Sequence, residues 1–378
     1  MASSGSCLWA RLDLFLLPRD PGAVLVTCLG FAVSFAQQSP PALPTAFPTG
    51  GYGLLAREIR DLGLMQRRPA FYAGFLTVII VAFGGCVAGL LLLDHSWWAL
   101  LLAPAFGIVS AQLGFFGHDA AHRQISHRER SSRWLALFAA NLLNGLSYGW
   151  WLDKHNAHHA HPNDLQADPD VAAGAVVFDA GQATHRRGFA GWVTRHQAWL
   201  YAPMLTLEGL NLHVSSVRAL ARPGLKHRRT EAALLAVHVA AYLALMFSVL
   251  TWPQAIVFIA AHQVVFGIYL GMSFAPGHKG MPVLAPEQAS DPLLRQVLTS
   301  RNVRGGRFLS ALMGGLNYQI EHHLFPSMPR PHLPQAQRVV RRFCESRGVD
   351  YAEVSVLATY AAVIRHLNDV GAELRASR

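Results

Sequence analysis

The run FYAGFLTVIIVAFGGCVAGLLLL, from Phe71 to Leu93, holds 23 residues and no charge, and WWALLLAPAFGIVSAQLGFFG, from Trp97 to Gly117, holds 21 more. An α-helix rises 1.5 Å per residue, so about 20 apolar residues cross the roughly 30 Å hydrocarbon layer of a bilayer. Only Asp94, His95 and Ser96 separate the two runs. The sequence therefore predicts a helical hairpin across a membrane. A second pair of uncharged runs, Ala232 to Trp252 and Gln254 to Phe274, predicts another hairpin joined at Pro253. Trp97, Trp98 and Trp252 sit at run ends, where aromatic side chains anchor helices at the interface. The expected fold is all-α and integral to the membrane, with four transmembrane helices in two hairpins and a helical cap.

Composition agrees. The chain of 378 residues is 52% hydrophobic and 14% charged, against about 25% charged in an average soluble domain. The net charge is +10. Its arginines flank the apolar runs, which suits anionic lipid or topology and argues against nucleic-acid binding. Arg57, Arg60, Arg67 and Arg68 precede the first run; Arg123, Arg128, Arg130 and Arg133 follow the second; Lys226, Arg228 and Arg229 precede the third. The short turns carry none, so the positive-inside rule places both termini in the cytoplasm. Only Lys154, Lys226 and Lys279 among the 32 basic residues are lysines, a skew expected of a GC-rich bacterial genome. Cys7, Cys28, Cys86 and Cys344 form no CxxC, which argues against a thiolate metal site and for a reducing compartment.

Residues 1–50 read as a tail that is either disordered or signal-like, because Gly22 to Ala36 is apolar but short for a span. Arg133 to Leu152 contains Asn141 and Asn144 and reads as a helix on or just within the interface; Gln197 to Leu212 reads similarly.

Three histidine clusters adjoin the predicted membrane face: His118-Asp-Ala-Ala-His122, His155-Asn-Ala-His158-His159 and Gln319-Ile-Glu-His322-His323. Imidazole is the side chain best suited to iron, copper or zinc near neutral pH. A four-residue step places His118 and His122 on one helix face, whereas the adjacent pairs diverge by about 100° and can serve different metals. Zinc rarely takes more than four ligands, so eight or nine imidazoles fit two higher-coordinate ions, most economically a di-iron pair that activates O2 against an unactivated C–H bond. His278, at the same face after the fourth run, is a further candidate ligand. Asp119 suits orienting a histidine better than binding metal. Gln319 offers a weak amide ligand, and His161 and Asn163 are expected as weak or supporting groups. His238 and His262 lie within runs and suit hydrogen bonds between helices.

These boxes, their order and the two hairpins resemble the integral-membrane fatty acid desaturases over roughly residues 50 to 345. Asn317-Tyr-Gln319-Ile-Glu-His322-His323-Leu-Phe-Pro326 carries the likeness most specifically, and its Gln resembles front-end, sphingolipid and actinobacterial acyl-CoA desaturases. The resemblance implies a desaturase domain over 51–345, a C-terminal cytoplasmic helical tail over 346–378, and two irons held by His118, His122, His155, His158, His159, His322 and His323 with His278. It implies O2-dependent insertion of a cis double bond into an acyl-CoA or acyl-lipid chain. No His-Pro-Gly-Gly haem motif occurs, so electrons are expected from a separate ferredoxin or flavin reductase. Gly277 departs from the family, whose members often place Asn there. A hydroxylase using the same centre is the nearest rival; a membrane metal carrier would instead line its spans with ligands.

Overall fold

The computed structural model describes residues 51–376 and two short strands, Thr27–Cys28 and Phe31–Ala32, which pair antiparallel. The rest of the expected N-terminal tail lies outside the described residues. Residues 44–378 form one compact unit, described below.

Among the described residues, four helices are long and apolar enough to cross a membrane: Pro69–Leu93, Trp97–Ala121, Arg228–Val249 and Trp252–His278. The 25 residues of the first correspond to about 37 Å, enough for the hydrocarbon layer with some tilt. Trp97, Trp98 and Trp252 are exposed at the ends. The second span opens with a 3₁₀ turn, Trp97–Leu102, and Ser96 Oγ accepts from the Trp98 amide at 3.3 Å. It runs past Gly117 to Ala121 and so carries the first histidine box on a helix end.

The fourth span corrects the sequence reading at both ends. Pro253 is not the joint. The helix starts at Trp252 with proline in its first turn, where the missing N–H costs nothing. The chain turns instead at Leu250 and Thr251, and the Thr251 amide donates to Gln254 Oε1 at 3.0 Å. At the other end the helix continues beyond Phe274 to His278, through Pro276. Proline cannot donate to the carbonyl four residues back; that carbonyl, of Met272, accepts from the Tyr360 hydroxyl at 2.6 Å. Arg301 donates to the Pro276 carbonyl through Nε at 3.0 Å and to the Lys279 carbonyl through Nη2 at 2.7 Å, a cation at a helix C-terminus.

The two hairpin turns meet. Gln254 Nε2 donates to the His95 carbonyl at 2.6 Å and the His95 amide to the Val249 carbonyl at 3.0 Å. Both hairpins therefore point the same way, and the boxes gather at the opposite end. The second and fourth spans cross closely at Gly107, where a Cβ would stand 2.8 Å from Val265, and Phe106 meets Phe258 edge-on at 5.4 Å.

The region between the hairpins is more broken than the sequence suggested. Glu129–Ala136 continues as a π-helix, Leu137–Leu143, then stops. Gly145 follows with φ +67°, and any Cβ there would stand 2.5 Å from His238. A separate helix, Tyr148–Ala160, carries the second box. The expected helix over Gln197 to Leu212 is likewise two, Gly188–Leu205 and Glu208–Ala219. Residues 346–376 hold the helix Val356–Val370 and a strand, Glu353–Ser355, that pairs parallel with Asn302–Arg304.

Candidate metal centre

Four segments bring the histidines together: the end of the second span, the helix Tyr148–Ala160, the end of the fourth span, and the short helix Gln319–Leu324. His118, His122, His155 and His322 form one group, His158, His278 and His323 a second, with ligand atoms within 4.8 Å of one another in each. The adjacent pair His158 and His159 diverges as a helix demands. His159 lies between the groups, its Nε2 3.0 Å from His155 Nε2 and its ring stacked on His323 at 4.2 Å.

Four of the Nδ1 atoms have partners. His118 Nδ1 donates to Asp119 at 3.1 Å, His158 Nδ1 to Asp168 at 2.9 Å, His278 Nδ1 to the Thr299 carbonyl at 3.0 Å and His323 Nδ1 to Gln296 Oε1 at 2.9 Å. A proton on Nδ1 leaves Nε2 as a lone pair, which is how partners of a ligand histidine fix its tautomer. The Nε2 atoms of His118, His322 and His323 are buried without a hydrogen-bond partner, a cost of about 1–3 kcal/mol each for a polar group left unmatched. His158 and His278 aim Nε2 at Nε2 across 3.2 Å. With both Nδ1 protons in use, two lone pairs face each other there, an arrangement that a shared cation would suit. The donor set thus fits two ions held by imidazole.

Burial first, then mutual repulsion among the imidazoles, holds His155, His159, His322 and His323 well below the ordinary histidine value. They are neutral at pH 7, the form that binds metal. His158, Asp168 and Asp170 also cluster, but Asp168 is engaged by His158, and Asp170 by Lys154, whose ammonium holds it down against burial. This group backs the second set of imidazoles, with its carboxylates already engaged.

Asp119 lies against His118 and the buried Arg330, whose Nη2 is 2.6 Å away. Asn163, at φ +62°, donates to the His278 carbonyl at 3.3 Å. Gln319 Nε2 lies 2.9 Å from His278 Nε2, and a Cβ on Gly277 would stand 2.7 Å from Gln319 Cγ. Gln319 thus fills the space that a side chain at Gly277 would need. His161 is exposed, beyond the second-box helix and in neither group. His262 bridges Ser110 at 3.0 Å and Tyr242 at 2.8 Å, and His238 the Leu142 carbonyl at 2.9 Å. Sequence reading missed Gln296, Thr299 and Arg330, which have no motif and reach the boxes only through the fold.

The sequence profile of the fatty acid desaturases matches residues 95–355. The chain belongs to the fatty acid desaturase family. It is similar to the Delta(5) fatty acid desaturase fat-4 of Caenorhabditis elegans, 30% identical over 313 residues that cover 79% of this chain and 68% of that one. It is also similar to the acyl-lipid (9-3)-desaturase of Borago officinalis, 27% identical over 86% of this chain and 75% of that one. A Delta 8-(E)-sphingolipid desaturase of Lachancea kluyveri is 29% identical over 86% of this chain and 60% of its own. The desaturase is thus an oxidoreductase that acts on fatty acyl chains in the membrane.

Proposed function

We propose that this desaturase inserts a cis double bond into an acyl chain, carried on CoA or a membrane lipid, at a di-iron centre that reduces O2 with two electrons from a separate ferredoxin or flavin reductase. The observation that supports the reading best is the pair of imidazole groups with partnerless Nε2 atoms at one end of four apolar spans. All-imidazole donors without thiolate suit a redox-active first-row metal. His118, His122, His155 and His322 would hold one iron and His158, His278 and His323 the other, with His159 between them and Gln319 beside His278. Bound iron supplies the activation of O2 and the removal of hydrogen from an unactivated C–H bond. The protein's own part is to orient His118, His158, His278 and His323 through Asp119, Asp168, Thr299 and Gln296, and to keep water away by burial. The basic flanks of the spans support a cytoplasmic box face in a multi-pass protein of the cell membrane.

The test is expression in a desaturase-deficient host with a matched reductase, followed by lipid mass spectrometry. A new unsaturated acyl chain, absent with His322→Ala, is expected. Hydroxy acids without new alkenes would replace the desaturase reading by hydroxylation, and product surviving His322→Ala would sink the metal assignment.

A further inference from the structure

Glu231 lies in the first turn of the third span and is 1% exposed. A carboxylate taken out of water needs hydrogen bonds to meet its charge. Two of the three donors on Glu231 come from the entrance to the second-box helix, and the third, Asn141, from the π-helix before it. Ser147 Oγ donates to Oε2 at 2.6 Å, the Gly149 amide to Oε1 at 2.9 Å and Asn141 Nδ2 to Oε2 at 3.2 Å. Ser147 is the N-cap of that helix and Gly149 its second residue. The anion therefore sits at the positive end of a 13-residue helix, where charge and dipole agree. A side chain at Gly149 would disturb this contact, because a Cβ would stand 2.6 Å from Glu231 Oε1 and 2.9 Å from Leu225 Cδ1. Asn141 completes the clasp by accepting from the Tyr148 amide at 3.2 Å.

We infer that Glu231 is a positioning residue for both metals, fixing the height and rotation of the helix Tyr148–Ala160. The inference rests on the di-metal reading above. That helix gives His155 to one group and His158 to the other, with His159 between. His155 follows Gly149 by six residues, about 9 Å of rigid helix, so movement at the clasp is carried to all three imidazoles. Metal ligands tolerate roughly 0.5 Å of displacement. The consequence is particular: loosening Glu231 should unload both ions together, whereas removing His278 or His322 strikes one group first.

The experiment uses the full chain in detergent, loaded anaerobically with Fe(II), and reads iron per chain, the Mössbauer spectrum and the melting temperature. Glu231→Gln keeps the length and one acceptor, enough for the Gly149 amide on Oε1 but leaving an NH2 towards Ser147 and Asn141, so it should hold more iron than Glu231→Asp. Glu231→Asp withdraws the carboxylate by about 1.5 Å, and Gly149→Ala pushes the helix away while leaving Glu231 in place. Each should lose both irons in parallel, several-fold, at temperatures where the protein remains folded. Combining Glu231→Asp with Gly149→Ala makes room for the methyl group and should restore part of the occupancy. Full occupancy with the parent spectrum in the folded single variants overturns the inference, as does loss from one iron alone. Unfolding of both single variants without recovery in the double variant also overturns it, since the clasp would then serve the fold alone. A parent protein that takes up no iron would instead overturn the di-metal reading itself.

Discussion

Gly277 and Gln319 compete for one space, with a Cβ on Gly277 placed 2.7 Å from Gln319 Cγ. Gly277→Ala should therefore push Gln319 from His278 and cost about 1–3 kcal/mol, the usual cost of overpacking. Adding Gln319→Ala should recover the melting temperature but not product formation. If Gly277→Ala alone leaves both unchanged, the contact is not limiting. The histidines carry a second expectation. Burial holds the folded values of His155, His159, His322 and His323 well below the ordinary one. In metal-free protein the unfolded chain takes up protons below about pH 6.5 that the folded chain refuses. Stability is then fully present above that pH and is lost as the pH falls towards the depressed folded values. Thermal melts of metal-free protein should be flat from about pH 8 to pH 7 and drop below about pH 6.5; a melting temperature that rose in acid would contradict the burial argument.

Helices pack here through glycines whose surroundings differ sharply. A Cβ on Gly267 would stand 2.5 Å from the Gly209 amide and 2.6 Å from the Leu205 carbonyl, both backbone, whereas nothing lies within 4 Å of one on Gly84. Backbone cannot rotate aside as a side chain can. Gly267→Ala should cost about 1–3 kcal/mol or more, read as a lower melting temperature in detergent. Gly84→Ala, in the exposed first span, should be neutral or slightly stabilising. Equal effects would mean that the fourth span does not depend on its close approach to Glu208–Ala219. The spans themselves were legible in sequence, because an uncharged run of 20 residues has few other uses. Their ends were not. Pro253 looks like a break but suits a first turn, and Pro276 looks like a stop but is carried because Tyr360, 84 residues on, takes the carbonyl it frees. The break at Gly145 was hidden for the same reason: His238, which requires it, lies in another span.

In the whole molecule, two hairpins with joined turns send their other ends to one centre, and residues from four segments close it. The histidines were legible because boxes crowd into short stretches; Gln296, Thr299, Arg330 and Glu231 were not, because each meets its box only after the chain has folded. Such a centre ties metal binding to tertiary structure. The seven grouped imidazoles come from four separate segments, and the partnerless Nε2 atoms of His118, His322 and His323 weigh against the metal-free fold. A ligand that binds only the folded state stabilises it by about 4 kcal/mol at a thousand times its dissociation constant. Stripping the protein with a chelator should therefore lower its melting temperature by several degrees, and Fe(II) should restore it. His322→Ala should lower the melting temperature of loaded protein while raising that of metal-free protein, since it removes a buried group with no partner. Should chelation leave the melting temperature unchanged in protein shown to have lost its iron, the centre would be a preformed cavity held by the spans alone, and the metal would contribute chemistry without contributing to the fold.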